Sequence, residues 1–477
     1  MGQESAKSRF SADEFDTFHH HLRTETQLLK QCIEQKACSH SAAVAGLELE
    51  AWLIDRQMHP AAINEHYLST LNNPLASAEL AKFNIELNTH PINLTGDIFS
   101  QLHQQLDKLW SDIHNEAAKH NAHMLMIGTL PTIQQSDLCL QNMSDLNRYR
   151  ALNEQILCSR GKPIQLDITG VEHLHLEHDD VMLESAATSL QLHTKVPLDL
   201  AHHFYNASII ASAPMVALCA NSPYLFGKFL WHESRIPLFE QSIETGGYDG
   251  AAHGPVKRVS FGSSYAKASI FECFQENLDH FPVLLPAKLG NASDKFDYLR
   301  LHNGTIWRWN RPLIGFDEDG TPHIRIEHRT PAAGPTIIDT IANAAFYYGL
   351  AKNICDKIIK SGLPMDFSQA KDNFYQAARH GLNSHIHWNN DHHPRIYHLI
   401  VTKLIDDAKA GLRSYGINGD DIERYMAVIQ HRAESKQTGA FWQHQYRQNT
   451  GADFVGMTQQ YLINQQLGKA VSRWPLK

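Results

Sequence analysis

Four short segments place ionisable or polar side chains two residues apart with aliphatic residues between them. They are Gly46-Leu47-Glu48-Leu49-Glu50, Asn84-Ile85-Glu86-Leu87-Asn88, Ser189-Leu190-Gln191-Leu192-His193 and His323-Ile324-Arg325-Ile326-Glu327-His328-Arg329. On a β-strand this spacing sends the polar set to one face and the aliphatic set to the other. One such strand is what an antiparallel sheet with a wetted face would show anyway. The four together are chemically complementary, offering the carboxylates of Glu48, Glu50, Glu86 and Glu327, the imidazole of His193, the amide of Gln191 and the guanidinium groups of Arg325 and Arg329. Crowding like charges gains nothing for a fold unless a ligand or metal compensates them. Carboxylate oxygens suit hard divalent cations, which bridge onward to phosphate oxygens. Arginines on the same surface hold carboxylate or phosphate groups through paired hydrogen bonds. The expectation is a concave sheet whose polar face binds metal and anionic groups.

The elements that must carry these strands can be read from periodicity. Residues 10–38 read as a helix with Phe15, Phe18, Leu22 and Leu29 at helical spacing, and Ile98, Leu102, Leu106, Leu109 and Ile113 mark a second, amphipathic one. Residues 200–245 read as helical around the turn at 220–227, residues 246–268 as a polar, glycine-rich mobile loop, and residues 298–330 as strands with a hairpin turn at Asp317–Gly320. From Ile337 to Ser361 runs a long apolar helix, and the remainder is largely helical. These readings divide the chain into an N-terminal helix (1–43), a main domain (44–365) and a C-terminal helical region (366–477).

Composition narrows the function classes. The chain has 477 residues, 43% hydrophobic and 19% charged, enough to bury a substantial core. Its net charge of −9 is spread without a basic block, which argues against nucleic-acid binding. Seven cysteines lie scattered without CxxC pairing, as expected of reduced thiols and not of a disulfide framework or a structural zinc site. The polar opening lacks the apolar core of a signal peptide, and no apolar run reaches the roughly 20 residues that span a bilayer. A cytoplasmic location without membrane association is expected. The 31 histidines are dispersed and read as surface or hydrogen-bonded residues, not as a metal store. No G-x-x-x-x-G-K-[ST] loop is present, so any nucleotide must be held by metals, strands and arginines.

In their order along the chain these segments resemble the glutamate–cysteine ligases and related carboxylate–amine ligases. The resemblance is carried by GLELE at 46–50, IELNTHP at 85–91, NRYRALNE at 147–154, SLQLHTKVP at 189–197, ANSPYLFG at 220–227, ESRIPLFEQ at 233–241 and HIRIEHRTPAAGP at 323–335. WRWNRPLIG at 307–315 and the helical tail resemble the bacterial glutamate–cysteine ligase-like branch. The resemblance implies an α+β, glutamine-synthetase-like fold, with a curved antiparallel sheet, helices on its outer face and a C-terminal helical layer. It implies metal ligation by Glu48, Glu50, Glu86, His193 and Glu327, with Mg2+ or Mn2+ as the ion and ATP as co-substrate. It further places Arg329, Glu86 and His193 at the chemistry, and Gln191, Arg325 and Arg148 at the nucleotide phosphates. Tyr149 falls beside the substrate, and Arg235 either contacts a substrate carboxylate or caps a helix.

The implied reaction activates the γ-carboxylate of glutamate as an acyl phosphate and then transfers it to an amine, cysteine first among the acceptors. The same strands would serve another amine equally well. Two readings from other classes are a metal-dependent hydrolase of phosphorylated or amide substrates and a non-catalytic member of the same scaffold.

Overall fold

The strands predicted from two-residue alternation form one sheet. In the computed structural model, which describes residues 7–245, 257–290, 292–388 and 393–477, they are β1 (Val44–Asp55), β3 (Asn84–Asn88), β8 (Leu190–Val196) and β12 (Pro322–His328). The same sheet holds β2 (Ala76–Ala78), β4 (Ile92–Asn93), β5 (Ala122–Leu125) and β11 (Asn310–Phe316). Its order is β11-β12-β8-β1-β3-β2, with β4 and β5 pairing opposite ends of the long β1, and it is curled into a half-barrel. Two small hairpins lie apart from it, β6–β7 (Ile164–Thr169 and His173–His178) and β9–β10 (Tyr224–Leu225 and Lys228–Phe229).

The strand pairings of this sheet are antiparallel, and residues directly opposite one another share a face. Glu50 faces Glu86, Glu48 faces Asn88 on one side and Gln191 on the other, and Gly46 faces His193. His193 in turn faces Glu327, which faces Arg311. The register therefore brings all four predicted polar sets onto one concave surface. The alternate residues Leu47, Leu49, Ile85, Leu87, Leu190, Leu192, Ile324 and Ile326 are buried on the other face. Each such side chain contributes about 1.5–3 kcal/mol by leaving water.

Behind this apolar face lie the helices Ala201–Cys219 and Ile337–Ser361, packed on each other. The second begins at Thr336, whose hydroxyl accepts from the Asp339 amide, is buried nearly all round as far as Ala351, and ends at Gly362 with its last turns exposed. Its Tyr348 hydroxyl donates to the carbonyls of Gly46 (3.1 Å) and His193 (3.2 Å), pinning β1 and β8 from behind. Helix Ile405–Ser414 crosses it at Gly349 and Gly411, where a Cβ on Gly411 would lie 1.9 Å from the Gly349 carbonyl oxygen. Only glycine permits that approach. Arg432 on helix Gly419–Ser435 reaches Asp339 and Asn343, each at 2.6 Å, and ties the C-terminal helices to the same core.

The hairpin turn at Asp317–Gly320 is present, with Gly320 at φ +84°. One expectation is corrected: residues Asp297–Gly304 are a helix, not strand, because Tyr298, Leu299 and His302 at helical spacing are its buried face. Of the expected loop at 246–268, residues 246–256 lie outside those described, and 257–268 contain no helix or strand beyond an isolated bridge from Ser260 to Arg308. All seven cysteines are free thiols. No helix among the described residues is long and apolar enough to cross a membrane.

Candidate active site

Glu48, His193 and Glu327 come from three neighbouring strands, β1, β8 and β12, and offer ligand atoms within 4.8 Å of one another. His193 is buried, and its Nε2 stands 3.0 Å from Glu48 Oε1 and 3.9 Å from Glu327 Oε1. Neither of its ring nitrogens has an aligned hydrogen-bond partner. Burial pushes the Glu48 carboxyl up, but the His193 imidazole outweighs this and holds it at about 2. Burial acts on Glu327 in the same sense, and Arg311, Arg329 and His193 overcome it to hold the carboxyl well below its ordinary range. Glu327 is paired with Arg311 at 2.8 Å and with Arg329 at 3.2 Å.

Glu50 and Glu86 face each other in the β1–β3 register but turn to different partners. Glu50 accepts from the Ser189 amide (2.6 Å), the Ser189 hydroxyl (2.9 Å) and Gln191 Nε2 (2.9 Å). Gln191 accepts in turn from Arg329 Nη1, so Glu50, Gln191 and Arg329 form one chain. Glu86 accepts from Asn88 Nδ2 at 2.8 Å. Burial raises the carboxyls of both Glu50 and Glu86, and the Glu48 charge adds to the rise at Glu86. Glu79, just beyond β2, is raised further by burial and by the charges of Glu86 and Glu50. One end of the surface thus holds ionised carboxylates beside cations, and the other crowds carboxyls that a cation would relieve.

A cleft of about 640 Å³ opens along the first end, lined by Glu48, Asn88, His193, Lys195, His323 and Arg325. Arg325 Nε is buried there without a hydrogen-bond partner. Lys195 and His323 both contact Asp317, at 2.5 and 2.8 Å, on the Arg325 side of the cleft, and burial pushes the His323 imidazole down against the pull of Asp317. A second cavity of about 20 Å³, the space of one water molecule, lies between Glu50, Glu184, Arg235, Trp309 and Arg329. Arg235 opens helix Arg235–Ser242 and stacks on Trp309 with its guanidinium 5.3 Å from the ring centre. Its Nε pairs with Glu233 at 3.2 Å and its Nη2 donates to the Thr330 carbonyl. Arg148 and Tyr149 stand on helix Asn147–Arg160 at the Glu79–Glu86 end, where Arg148 Nη2 donates to the Tyr149 hydroxyl (3.1 Å) and that hydroxyl donates to the Ala78 carbonyl (3.3 Å).

All the residues singled out from sequence therefore border this one surface, Arg235 and Tyr149 at its two edges. Arg311, Lys195, Glu79 and Glu184 also belong to it and were not singled out. Lys195 had a signal, since it stands two residues beyond His193 on the same strand, whereas at Arg311 the apolar Trp309 two residues before and the polar Asn310 between hide the alternation. Glu79 and Glu184 sit outside the sheet strands and have no periodic signature.

Two solved structures show the same fold. The glutamate–cysteine ligase of Francisella tularensis in complex with AMP superposes with a TM-score of 0.57 at 11% identity, over 91% of this chain and 90% of that one. The bifunctional glutathione synthetase of Pasteurella multocida gives 0.52 at 12% identity, over 91% of this chain and 54% of that one. No curated protein sequence matches the chain. The protein is of the ATP-dependent carboxylate–amine ligase class. It belongs to the glutamate–cysteine ligase family 2, whose family model matches residues 44–462.

Proposed function

We propose that the protein phosphorylates the γ-carboxylate of glutamate with ATP and couples the acyl phosphate to the amine of cysteine, in the cytoplasm and with Mg2+ or Mn2+. The observation that carries this reading is the placement of Glu48, His193 and Glu327 on one strand face with Arg325 and Arg329. Two carboxylates, a buried imidazole standing 3.0 Å from one of them with neither ring nitrogen in an aligned hydrogen bond, and further carboxyls raised by burial and then by one another's charge make a donor set that fits such a cation. Glu48, His193 and Glu327 would hold one ion, and Glu50 and Glu86, joined by Glu79, another. Ions held by these residues would supply positive charge to offset that of phosphate groups.

The chain's own groups do the rest. A carboxylate resists attack because its oxygen is a poor leaving group and its charge repels nucleophiles, so positioning and charge neutralisation are the main tasks. Arg329, steered by Glu327 and Gln191, offsets charge on the transferred phosphoryl group. Arg325, with Lys195 beside it, holds the nucleotide phosphates in the larger cleft, and the solved complex of the Francisella ligase with AMP supports a nucleotide co-substrate. Arg148 and Tyr149 close the Glu86 end. Arg235, beside Glu50 and Arg329, receives the acid's carboxylate. On this reading residues 44–365 carry the chemistry and 366–477 support it.

The test is to incubate the purified protein with Mg2+, ATP and glutamate, add a panel of amines including cysteine, and follow ADP and product mass. ADP with γ-glutamylcysteine as the best product supports the reading. The same dependence with another amine changes the acceptor. Substrate loss without ATP replaces the ligase by a hydrolase.

A further inference from the structure

The C-terminal helices Gly439–Thr450 and Phe454–Gln466 meet the candidate acid-binding side at the buried Asn221. Its Nδ2 donates to the Ala333 carbonyl and to the Tyr461 hydroxyl, each at 2.8 Å, and its Oδ1 accepts from Gln443 Nε2 at 3.0 Å. Its backbone amide donates to Glu233 Oε2 at 2.8 Å. Glu233 accepts also from the Ser222 hydroxyl at 2.6 Å and pairs with Arg235. Arg235 in turn donates to the carbonyl of Thr330, the residue after Arg329. Gly439 seats directly on Asn221, since a Cβ there would lie 1.9 Å from Asn221 Oδ1.

The side-chain amide thus has its two donor hydrogens and its acceptor oxygen engaged at once, with partners in three separate parts of the chain. A buried amide so constrained has one position available, and a shift of it leaves several polar groups unpaired. The two strands of this network end at Ala333, four residues after Arg329, and at Arg235. Both arginines border the cavity that contains Glu50.

We propose that Asn221 is a positioning residue which, gripped by Gly439, Gln443 and Tyr461, sets Arg235 and the Arg329 segment for the acid substrate. This rests on the proposed ligase reading. It assigns a role to the C-terminal segment Thr438–Gln443: the Thr438 hydroxyl accepts from the Phe441 amide and caps the helix, Gly439 allows contact with Asn221, and Gln443 supplies a hydrogen bond.

Two full-length variants test it without touching either arginine. Tyr461→Phe removes one hydroxyl, and Gly439→Ala pushes on Asn221 without deleting a polar group. The expected result is kcat/KM for the acid lowered by about ten- to a hundredfold, as for a misplacement of order 1 Å, with the acid KM raised and the KM for ATP unchanged. The arginine Nε–H resonance of Arg235, assigned through Arg235→Lys, shifts in both variants while that of Arg258, which bonds elsewhere to Thr305 and Pro282, does not. An unmoved Arg235 resonance overturns the proposal, as does a loss of kcat with the acid KM unchanged. If the wild-type protein forms no ADP with any acid and amine, the ligase reading falls, and the resonances still decide the positioning claim.

Discussion

Arg311 grips Glu327 with two parallel hydrogen bonds, Nε to Oε2 at 2.8 Å and Nη2 to Oε1 at 3.0 Å, across the β11–β12 register. Both side chains are buried, and Arg329 adds a contact at 3.2 Å. Glu327 is therefore presented to His193 as a fixed, ionised group. Replacing Arg311 with Met should destabilise the protein by about 3–5 kcal/mol at neutral pH, because a buried carboxylate loses its main partner. The sign with pH follows from linkage. A carboxyl held below its unfolded value of 4.5 adds stability above that pH and loses it as the pH falls toward the folded value. Arg311→Met gives up part of that contribution, so urea midpoints of the two proteins should converge as the pH enters the acid range. A constant gap from pH 7 downward would refute the assignment.

The relation also shows what sequence could and could not reveal. Glu48, Glu50, Glu86, Gln191, His193, Arg325 and Glu327 were legible because a period of two is set by the strand itself, whatever it pairs with. Their convergence then followed from register, which pairs each polar set with the next. Arg311 was within reach on the same logic, but Trp309 on its face and Pro312 beside it disguise the alternation. Glu79 and Glu184 enter through the path of the chain outside the sheet strands, and nothing local in the sequence encodes that path. Arg235 was read with two roles, and its Glu233 and Thr330 partners show why: the side chain is built into the fold and also borders the Glu50 cavity.

Helix contact behind the sheet gives a second prediction. A methyl group at position 411 would sit 1.9 Å from the Gly349 carbonyl oxygen, so Gly411→Ala must separate two backbones. Overpacking of this kind costs about 1–3 kcal/mol. Tyr348, next to Gly349, holds the carbonyls of Gly46 and His193, so the displacement should also reach the strands of the site. A thermal midpoint within a degree of wild type would show that the helices part without strain.

Glu25 offers a pH test far from the cleft. It is 1% exposed and accepts from the Leu299 amide at 2.8 Å, capping helix Asp297–Gly304 from the N-terminal helix. Burial pushes its carboxyl up to about 7, against that hydrogen bond and with help from the Asp297 charge. With a folded value above the unfolded 4.5, the native state binds more protons in that window, and stability falls as pH rises from 4.5 to about 7. Glu25→Gln keeps an acceptor oxygen and removes the titration. Its stability relative to wild type should climb across the same window and level off above it, read by denaturant midpoints at half-unit intervals. A difference independent of pH would mean that Glu25 is not buried with its charge uncompensated.

The sharpest test of the metal assignment is Glu48→Gln, which preserves shape and one acceptor oxygen but removes the charge. Burial raises the Glu48 carboxyl and the His193 imidazole outweighs it, holding the carboxyl low, so Glu48 brings its charge to an arriving cation. Glu50 and Glu86 differ, because burial raises both carboxyls. Glu48→Gln should therefore weaken Mn2+ binding, followed by electron paramagnetic resonance, by at least about tenfold at every pH. Glu86→Gln should weaken it too. ADP formation should fall at least about a hundredfold in Glu48→Gln, since loss of even indirect support to a metal costs 10–100-fold. If Mn2+ binds Glu48→Gln as tightly as wild type, the ion is held elsewhere and the Glu48–His193–Glu327 cluster serves the arginines alone.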